Sequence, residues 1–211
     1  MSSRFLRLWC RRLCWLPFVF ITLGIASPLT AGTVLVIGDS LSDAYDMPRE
    51  AGWAALLSER LGDEYEVVNA SISGETTIGG RNRLGQLLAA HSPDVLLIIL
   101  GGNDGLRALS PAQVERNLEA MIEEGKAVGA RIGLMQIRLP ANLGPVYLRR
   151  FESIYPRLAE RHDIELLPFF LEDLFDRPGM MMADGIHPTI EAQPLMLERL
   201  WPKLQPLLAS D

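Results

Sequence analysis

The chain has 211 residues, which is enough for one ordinary domain and too few for two domains with separate cores. Hydrophobic residues make up 48% of it and charged residues 22%, a composition that excludes a disordered, collagen-like or low-complexity protein. Its formal net charge is −6, and an acidic chain without a basic stripe repels phosphate backbones, so we expect no nucleic-acid partner.

Residues 1–31 have the organisation of a secretory signal peptide. Arginines stand ahead of an acid-free apolar run, and small residues follow it. The run is shorter than the roughly 20 residues that span a bilayer, and Pro17 interrupts it, which favours a cleaved signal over an uncleaved anchor. Cleavage after Ala26 or after Ala31 would satisfy the need for small residues. We therefore predict a mature domain at 32–211, periplasmic or secreted, with no stable membrane anchor.

Cleavage would make the protein more acidic and free of cysteine. Removing residues 1–31 takes away four of the 20 basic residues and none of the 26 acidic ones, which leaves a formal net charge of −10. Both cysteines, Cys10 and Cys14, lie in this segment. The mature chain therefore has no disulfide, thiol nucleophile or cysteine-based metal site.

Short apolar runs alternate with amphipathic stretches along the predicted mature chain. The runs are typical of strands buried on both faces, because they lack polar alternation. The predicted strands are 33–37, 66–69, 94–100, 131–137 and 164–167, and the predicted helices are 52–62, 78–91, 111–129, 146–162 and 192–208. This alternation predicts an α/β fold with a parallel sheet, helices on both faces and right-handed crossovers.

Polar, glycine-containing segments follow the first three predicted strands, at residues 38–41, 70–74 and 101–104. Because open parallel sheets bind ligands beyond the carboxyl ends of their strands, we expect these loops to lie side by side at one rim. No G-x-G-x-x-G motif follows the first strand, and Gln86 stands where a P-loop needs lysine, which argues against nucleotide binding. The mature histidines lack paired spacing, so we assign no metal.

Ser40 directly follows the first predicted strand, and we interpret the segment after it as the approach to a helix. This position exposes a hydroxyl at the rim beside a helix N-terminus and suits a nucleophile, although Asp39 and Ser40 would equally suit a helix N-cap. The motif G-x-S-x-G is absent, which excludes the strained elbow of an α/β-hydrolase.

Near the C-terminus, Asp184 stands three residues before His187. In a helical turn these positions share a face, so the carboxylate could hold Nδ1–H and leave Nε2 free to take a serine proton. The same residues could instead form a surface turn. His91 and His162 lie beside predicted helix ends and turns, where we expect structural roles.

Acyl transfer also needs hydrogen-bond donors aimed at the developing oxyanion. The candidates are the backbone N–H groups of Ser40 and Gly74 and the side-chain amide of Asn103. Taken singly, Gly74 could be a turn residue and Asn103 a cap.

Together these segments resemble the four sequence blocks of the SGNH, or GDSL-type, hydrolases. The blocks are Gly38-Asp39-Ser40-Leu41, Gly74, Gly101-Gly102-Asn103-Asp104, and Asp184 with His187. The similarity is closest to the periplasmic thioesterase and lysophospholipase subgroup, through segments 69–74, 100–107, 135–142 and 184–188, and it covers essentially the whole mature chain. Two differences adjoin the site: Asp43-Ala44 stands where relatives usually have Ala-Gly, and Glu75 where Asp is common.

The resemblance implies a flavodoxin-like three-layer domain with five parallel strands. It also implies Ser40 as nucleophile, His187 as base and Asp184 as the acid that orients the base. Ser40, Gly74 and Asn103 would form the oxyanion hole, and no cofactor is required.

The sequence thus predicts an exported, monomeric serine hydrolase that cleaves fatty-acyl esters and thioesters, including lysophospholipids, through an acyl-enzyme. Ile78, Leu106 and Leu109 flank the oxyanion candidates and are predicted to line an acyl groove, although they could be ordinary core contacts. The alternatives are a carbohydrate O-deacetylase and a non-catalytic protein that binds acylated ligands.

Overall fold

The computed structural model describes residues 31–209, so the predicted signal peptide lies, except for its last residue, outside the described residues. The strands are β1 (Gly32–Gly38), β2 (Tyr65–Asn69), β3 (Val95–Ile99), β4 (Arg131–Met135) and β5 (Glu165–Leu167). The helices are α1 (Trp53–Leu61), α2 (Thr77–His91), α3 (Gly102–Leu106), α4 (Pro111–Ala127), α5 (Pro145–Glu152), α6 (Ile154–His162) and α7 (Gln193–Leu208). Each predicted strand is present, with ends that differ by at most two residues.

The five strands form one parallel sheet in the order β2-β1-β3-β4-β5. In the register, Val36 of β1 lies beside Asn69 of β2 and Leu97 of β3. Every residue of β3 is buried, because helices cover both faces of the sheet and leave no solvent side for polar side chains. The predicted α/β fold with a five-stranded parallel sheet is confirmed.

The strand order reverses at β1, and this reversal separates the helices into two layers. The connection through α1 leads from β1 to its neighbour β2, whereas the connection through α2 leads from β2 back across β1 to β3. Because both crossovers are right-handed and run in opposite directions along the sheet, they place α1 and α2 on opposite faces. Accordingly α1 packs against α7, while α2 packs against α4 and α4 against α6. The carboxyl ends of β2, β1 and β3 meet at the point of reversal.

The predicted helix at 146–162 is interrupted, and this part of the prediction is wrong. It is divided into α5 and α6 at Ser153. Pro156 has no N–H, and in a continuous helix its ring would clash with the carbonyl of Glu152. That carbonyl instead accepts a hydrogen bond from the Gln136 side chain, with Nε2 and O 3.1 Å apart.

The short helix α3 was not predicted, because its sequence is rich in glycine. It begins after Gly101, whose φ of 120° is readily adopted only by glycine. A Cβ atom at Gly101 would also lie 2.0 Å from the Tyr155 hydroxyl, which donates a hydrogen bond to the carbonyl of Leu100. The close approach of α6 therefore requires glycine at this position and fixes where α3 starts.

Candidate active site

Ser40 lies in a series of tight turns at the carboxyl end of β1. The backbone N–H groups of Ser42 and Asp43 both donate to the carbonyl of Asp39, at 3.0 Å each, which closes the first turn around Ser40. No regular helix follows directly, since α1 begins only at Trp53. The interpretation that a helix N-terminus adjoins Ser40 is therefore wrong.

The turn that carries Ser40 is attached to the core through Trp53. Trp53 is fully buried, and its indole Nε1 donates to the carbonyl of Leu41 at 3.2 Å. The backbone N–H of Trp53 donates to the side chain of Gln193 at 3.0 Å. The first residue of α1 thus links the turn to the last helix.

His187 lies between Ser40 and Asp184. The distance from His187 Nε2 to Ser40 Oγ is 2.9 Å, and that from Nδ1 to Asp184 Oδ2 is 2.6 Å. Asp184 Oδ1 accepts backbone N–H bonds from Ile186 at 2.9 Å and from His187 at 3.0 Å. The structure thus brings together the three side chains for which the sequence suggested a common role.

The charge on Asp184 determines which imidazole nitrogen carries the proton. The hydrogen bond from the His187 side chain, followed by those from the backbone N–H groups of His187 and Ile186, lowers the pKa of Asp184 to about 2. Asp184 is therefore an anion at neutral pH and can only accept, so Nδ1 carries the hydrogen. Nε2 is then left as the acceptor for the hydroxyl proton of Ser40.

Backbone N–H groups are available beside this triad. Among residues 31–209, neither Ser40 nor Gly74 donates a backbone hydrogen bond. Gly74 has a φ of 81°, and a Cβ atom there would meet no atom within 4 Å, so the position is open as well as restricted to glycine. The loop that carries it is held to the end of β1, because the N–H of Ile72 donates to the carbonyl of Gly38 at 3.1 Å.

The side-chain amide of Asn103 is oriented by Asp39. Asn103 Nδ2 donates to Asp39 Oδ2 at 3.2 Å, while the backbone N–H of Leu41 donates to Oδ1 at 3.1 Å. A carboxylate can only accept, so it fixes which end of the Asn103 amide faces it and leaves the second amide hydrogen free for a ligand. Asp39 is buried, and this burial raises its pKa to about 6, against the opposing effects of its two hydrogen bonds.

Asp39 is a residue whose importance the sequence did not reveal. It was interpreted together with Ser40 as a possible helix cap, but its carboxylate connects the turn after β1 to α3. The available signal was a carboxylate directly after a strand with no polar alternation, where burial was to be expected.

Helix α3 is held in place by a buried network of polar side chains. Asp104 Oδ2 accepts the backbone N–H of Thr77 at 2.8 Å, and Oδ1 accepts the Thr77 hydroxyl at 2.6 Å. Asn117 Nδ2 donates to the same hydroxyl at 3.0 Å. These contacts tie α3 to α2 and α4, so the position of Asn103 depends on three helices.

An apolar groove starts beside the turn that carries Ser40. It is lined by side chains from the turn after β1, from α3 and from the segments after β4 and β5, with glycine at two positions: Leu41, Gly102, Leu106, Ile137, Arg138, Leu139, Pro140, Phe169, Leu171, Phe175, Gly185 and Ile186. Of the three residues predicted to line an acyl groove, Leu106 is part of this lining. Ile78 and Leu109 are exposed and lie outside it.

Among residues 31–209, a group of three potential metal ligands lies elsewhere. Glu119, Glu123 and His162 place their ligand atoms within 4.8 Å of one another. Glu119 is already paired with Arg161 at 2.7 Å and with His162 at 3.1 Å, so these two side chains occupy its carboxylate. His162 ends α6, ahead of the amino end of β5 and away from the triad.

The side chain of Glu75, one of the two sequence differences, forms an ion pair with Arg83. Its Oε2 accepts from Arg83 Nε at 2.7 Å, and the pair links a residue two positions before α2 to the middle of that helix. Glu75 therefore has a structural partner.

Comparisons with known proteins identify the family to which the chain belongs. The profile of the GDSL-like Lipase/Acylhydrolase family matches residues 36–193. The chain is 50% identical to Esterase TesA of Pseudomonas aeruginosa over 181 residues, which cover 84% of this chain and 90% of that protein. It is 46% identical to Thioesterase 1/protease 1/lysophospholipase L1 of Escherichia coli (strain K12) over 196 residues, 93% of this chain and 94% of that protein.

Its structure is similar to that of the psychrotrophic esterase EstA from Pseudoalteromonas sp., solved in a form inhibited by monoethylphosphonate. The TM-score is 0.80 at 36% identity, and the match covers 84% of this chain and 98% of that one. The family profile spans the positions of the triad and of the candidate oxyanion donors, and the identity to these relatives extends over most of the chain. The chain therefore belongs to the GDSL-like lipase/acylhydrolase family.

Proposed function

We propose that this protein is a serine hydrolase that cleaves fatty-acyl esters and thioesters through an acyl-enzyme. The observation that carries the proposal is the continuous set of contacts from Ser40 through His187 to Asp184, at 2.9 Å and 2.6 Å. Relatives named esterase and thioesterase/lysophospholipase support the same reaction class.

In the first half-reaction, Ser40 Oγ attacks the acyl carbonyl carbon while its proton passes to His187 Nε2. Asp184 stabilises the resulting imidazolium, because its carboxylate is already an anion at neutral pH. The oxyanion of the tetrahedral intermediate accepts hydrogen bonds from the backbone N–H groups of Ser40 and Gly74 and from the free amide hydrogen of Asn103. Collapse breaks the bond to the alcohol or thiol, which leaves with the proton from Nε2.

In the second half-reaction, water replaces the serine hydroxyl as the nucleophile. His187 takes a proton from the water, the same donors hold the second oxyanion, and the proton returns to Ser40 Oγ as the carboxylic acid leaves. Both half-reactions thus use the same residues.

We infer from the apolar groove that the substrates carry long acyl chains. Its walls include Leu106 from α3 and the aromatic rings of Phe169 and Phe175, and it begins at Leu41, next to the nucleophile. Each methylene buried there contributes up to ~0.8 kcal/mol, so kcat/KM should rise several-fold for every two carbons added until the groove is full. A preference for acetyl over octanoyl esters would favour the O-deacetylase alternative.

We also propose that the protein is exported and that it acts as a monomer. Export rests on the sequence of residues 1–31. Within the described part of the chain, no helix is both long and apolar enough to cross a membrane. The mass of the protein recovered from the periplasm or medium would identify the cleavage site, and retention of the full-length mass would contradict export.

A fluorophosphonate probe tests the covalent step directly. Wild-type protein should be labelled at Ser40, and Ser40→Ala should abolish the label and lower kcat by on the order of 10³–10⁶. Ser110→Ala is a matched control, because this exposed serine caps α4 without a side-chain hydrogen bond. Labelling of another serine would contradict the assignment, and a chain that binds acyl ligands without being labelled would be a non-catalytic binder.

A further inference from the structure

Tyr45 covers one face of the His187 ring. The two ring centroids are 4.0 Å apart, and the planes differ by 20°, so the rings are stacked. Tyr45 is 42% exposed, which shows that its ring is held at the surface against the imidazole without being buried in the core. Its hydroxyl makes no hydrogen bond among the described residues, so the ring face carries the contact.

The backbone on both sides of Tyr45 adopts a conformation that L-residues avoid. Ala44 has a φ of 53° and Asp46 a φ of 52°, both in the left-handed region that favours glycine. Two such residues around one side chain persist only when surrounding contacts impose them. The turn is therefore held in a defined shape that directs Tyr45 toward His187.

Asp43 supplies two of the contacts that hold this turn. Its Oδ2 accepts the backbone N–H of Ser73 at 3.0 Å and the Ser73 hydroxyl at 2.9 Å. Ser73 precedes Gly74, so the same bonds connect the Tyr45 turn to the loop that carries a candidate oxyanion donor. Asp43 and Ala44 form one of the two differences from the usual pattern of the family that the sequence indicates.

Two carboxylates and one ring surround the imidazole. Asp184 bonds Nδ1, and the buried charge of Asp39 acts on His187 from the turn after β1. Asp184 contacts the edge of the ring, whereas Tyr45 is stacked on one of its faces. The face of an aromatic ring attracts a cation, and acyl transfer makes His187 a cation transiently.

We propose that Tyr45 is a positioning residue for His187, which holds the imidazole plane in line with Ser40 and stabilises the imidazolium through its ring face. The inference rests on the proposed function. It assigns a role to the turn formed by residues 43–46 that the triad alone does not require.

Replacement of Tyr45 by phenylalanine, leucine and alanine separates the parts of this role. Tyr45→Phe keeps the ring face and should retain kcat within about two-fold, since the hydroxyl has no partner. Tyr45→Leu keeps an apolar contact without the ring face, and Tyr45→Ala removes both. The leucine and alanine variants should each lower kcat on a short acetyl ester by about three- to ten-fold with little change in KM, because the contact between the rings strengthens as charge develops on His187.

The pH profile of kcat/KM distinguishes this role from a purely structural role of Tyr45, which would leave the profile unchanged. The ring face favours the protonated imidazole, so its loss should let the ring release its proton at lower pH. The acid limb of kcat/KM should then move down by about 0.4–0.7 pH unit in the leucine and alanine variants and stay in place in Tyr45→Phe. The same shift should appear in the NMR titration of the His187 ring proton, which needs no substrate.

The outcomes distinguish this inference from the proposed function. A wild-type protein that hydrolyses esters and reacts with fluorophosphonate, with kcat and acid limb unchanged in Tyr45→Ala, would overturn the role of Tyr45 alone. A rise in KM without a change in kcat would make Tyr45 a substrate contact instead. Absence of labelling and turnover in wild type would reject the proposed function, while the NMR titration would still test the stacking.

Discussion

Replacing Asp39 with asparagine should make the protein more stable and less active. The rise in the pKa of Asp39 from 3.8 to about 6 reflects its burial. Between these values the folded protein binds a proton that the unfolded chain has released, so the free energy of unfolding falls as the pH rises through this window. Above pH 6 Asp39 is ionised in the folded and the unfolded protein alike. The rise in its pKa then corresponds to a loss of about 3 kcal/mol in the free energy of unfolding.

Asparagine removes the buried charge but brings a second amide next to Asn103. Its oxygen can still accept the N–H of Leu41, which leaves its NH2 group facing the Asn103 NH2 group at the position where 3.2 Å now separates donor and acceptor. Asn103 must then turn its oxygen toward residue 39, and its amide hydrogens no longer have the orientation that Asp39 imposes. Loss of one oxyanion donor costs on the order of 10² in kcat.

Thermal unfolding at pH 8 and pH 4 and steady-state kinetics measure the two effects. At pH 8, Asp39→Asn should raise the free energy of unfolding by up to about 3 kcal/mol, or Tm by up to about 10 °C, and the gain should largely vanish at pH 4. Asp63→Asn, at an exposed aspartate, should change neither quantity. A variant with unchanged kcat, or one destabilised at pH 8, would refute this account of Asp39.

Further changes test the remaining residues. Asn103→Ala should lower kcat by about 10²–10³ with little effect on KM, and an increase in KM alone would remove it from the oxyanion hole. Asp184→Asn should stay folded and lose on the order of 10⁴ in kcat through the wrong imidazole tautomer. Because the pKa of Asp184 is about 2, the acid limb of the wild-type profile near neutral pH should not report its titration. Leu106→Ala should flatten the rise of kcat/KM with acyl length and spare acetyl esters. We expect smaller effects from Ile78→Ala and Leu109→Ala, which lie outside the groove lining, and equal slopes in all variants would contradict the groove.

The sequence predicted the sheet well because its strands are continuous apolar runs. A strand such as β3, buried at every residue, has a composition that few other structures share. The helix pattern at 146–162 continued through Pro156, and periodicity alone gave that proline too little weight. Helix α3 could not be predicted from residues of low helix propensity, because the contacts of Asp104 with Thr77 stabilise it across the chain.

The candidate site was predictable in its residue types and less so in its supports. The polar segments at the ends of neighbouring strands indicated Ser40, Gly74 and Asn103. The role of Asp39 depends on its burial, and the stacking of Tyr45 depends on left-handed backbone at residues that are not glycine. Alanine carries no sequence signal for such a conformation, and aspartate carries only a weak one. The rings of Phe169 and Phe175 reach the groove only through the path of the long segment after β5.

The segment that carries His187 is paired mainly with itself. The N–H of Met182 donates to the carbonyl of His187 at 2.8 Å, and the N–H of Thr189 donates to that of Met180 at 2.9 Å. Among the described residues, the contact between His187 and Ser40 is the only hydrogen bond from residues 181–188 to the remainder of the chain. Besides this bond, the segment is held by the stacking of His187 on Tyr45 and by the packing of Met181 against the core, so we expect it to open before the sheet and the oxyanion donors unfold. On heating, enzymatic activity should disappear reversibly at temperatures below the cooperative melting of the domain.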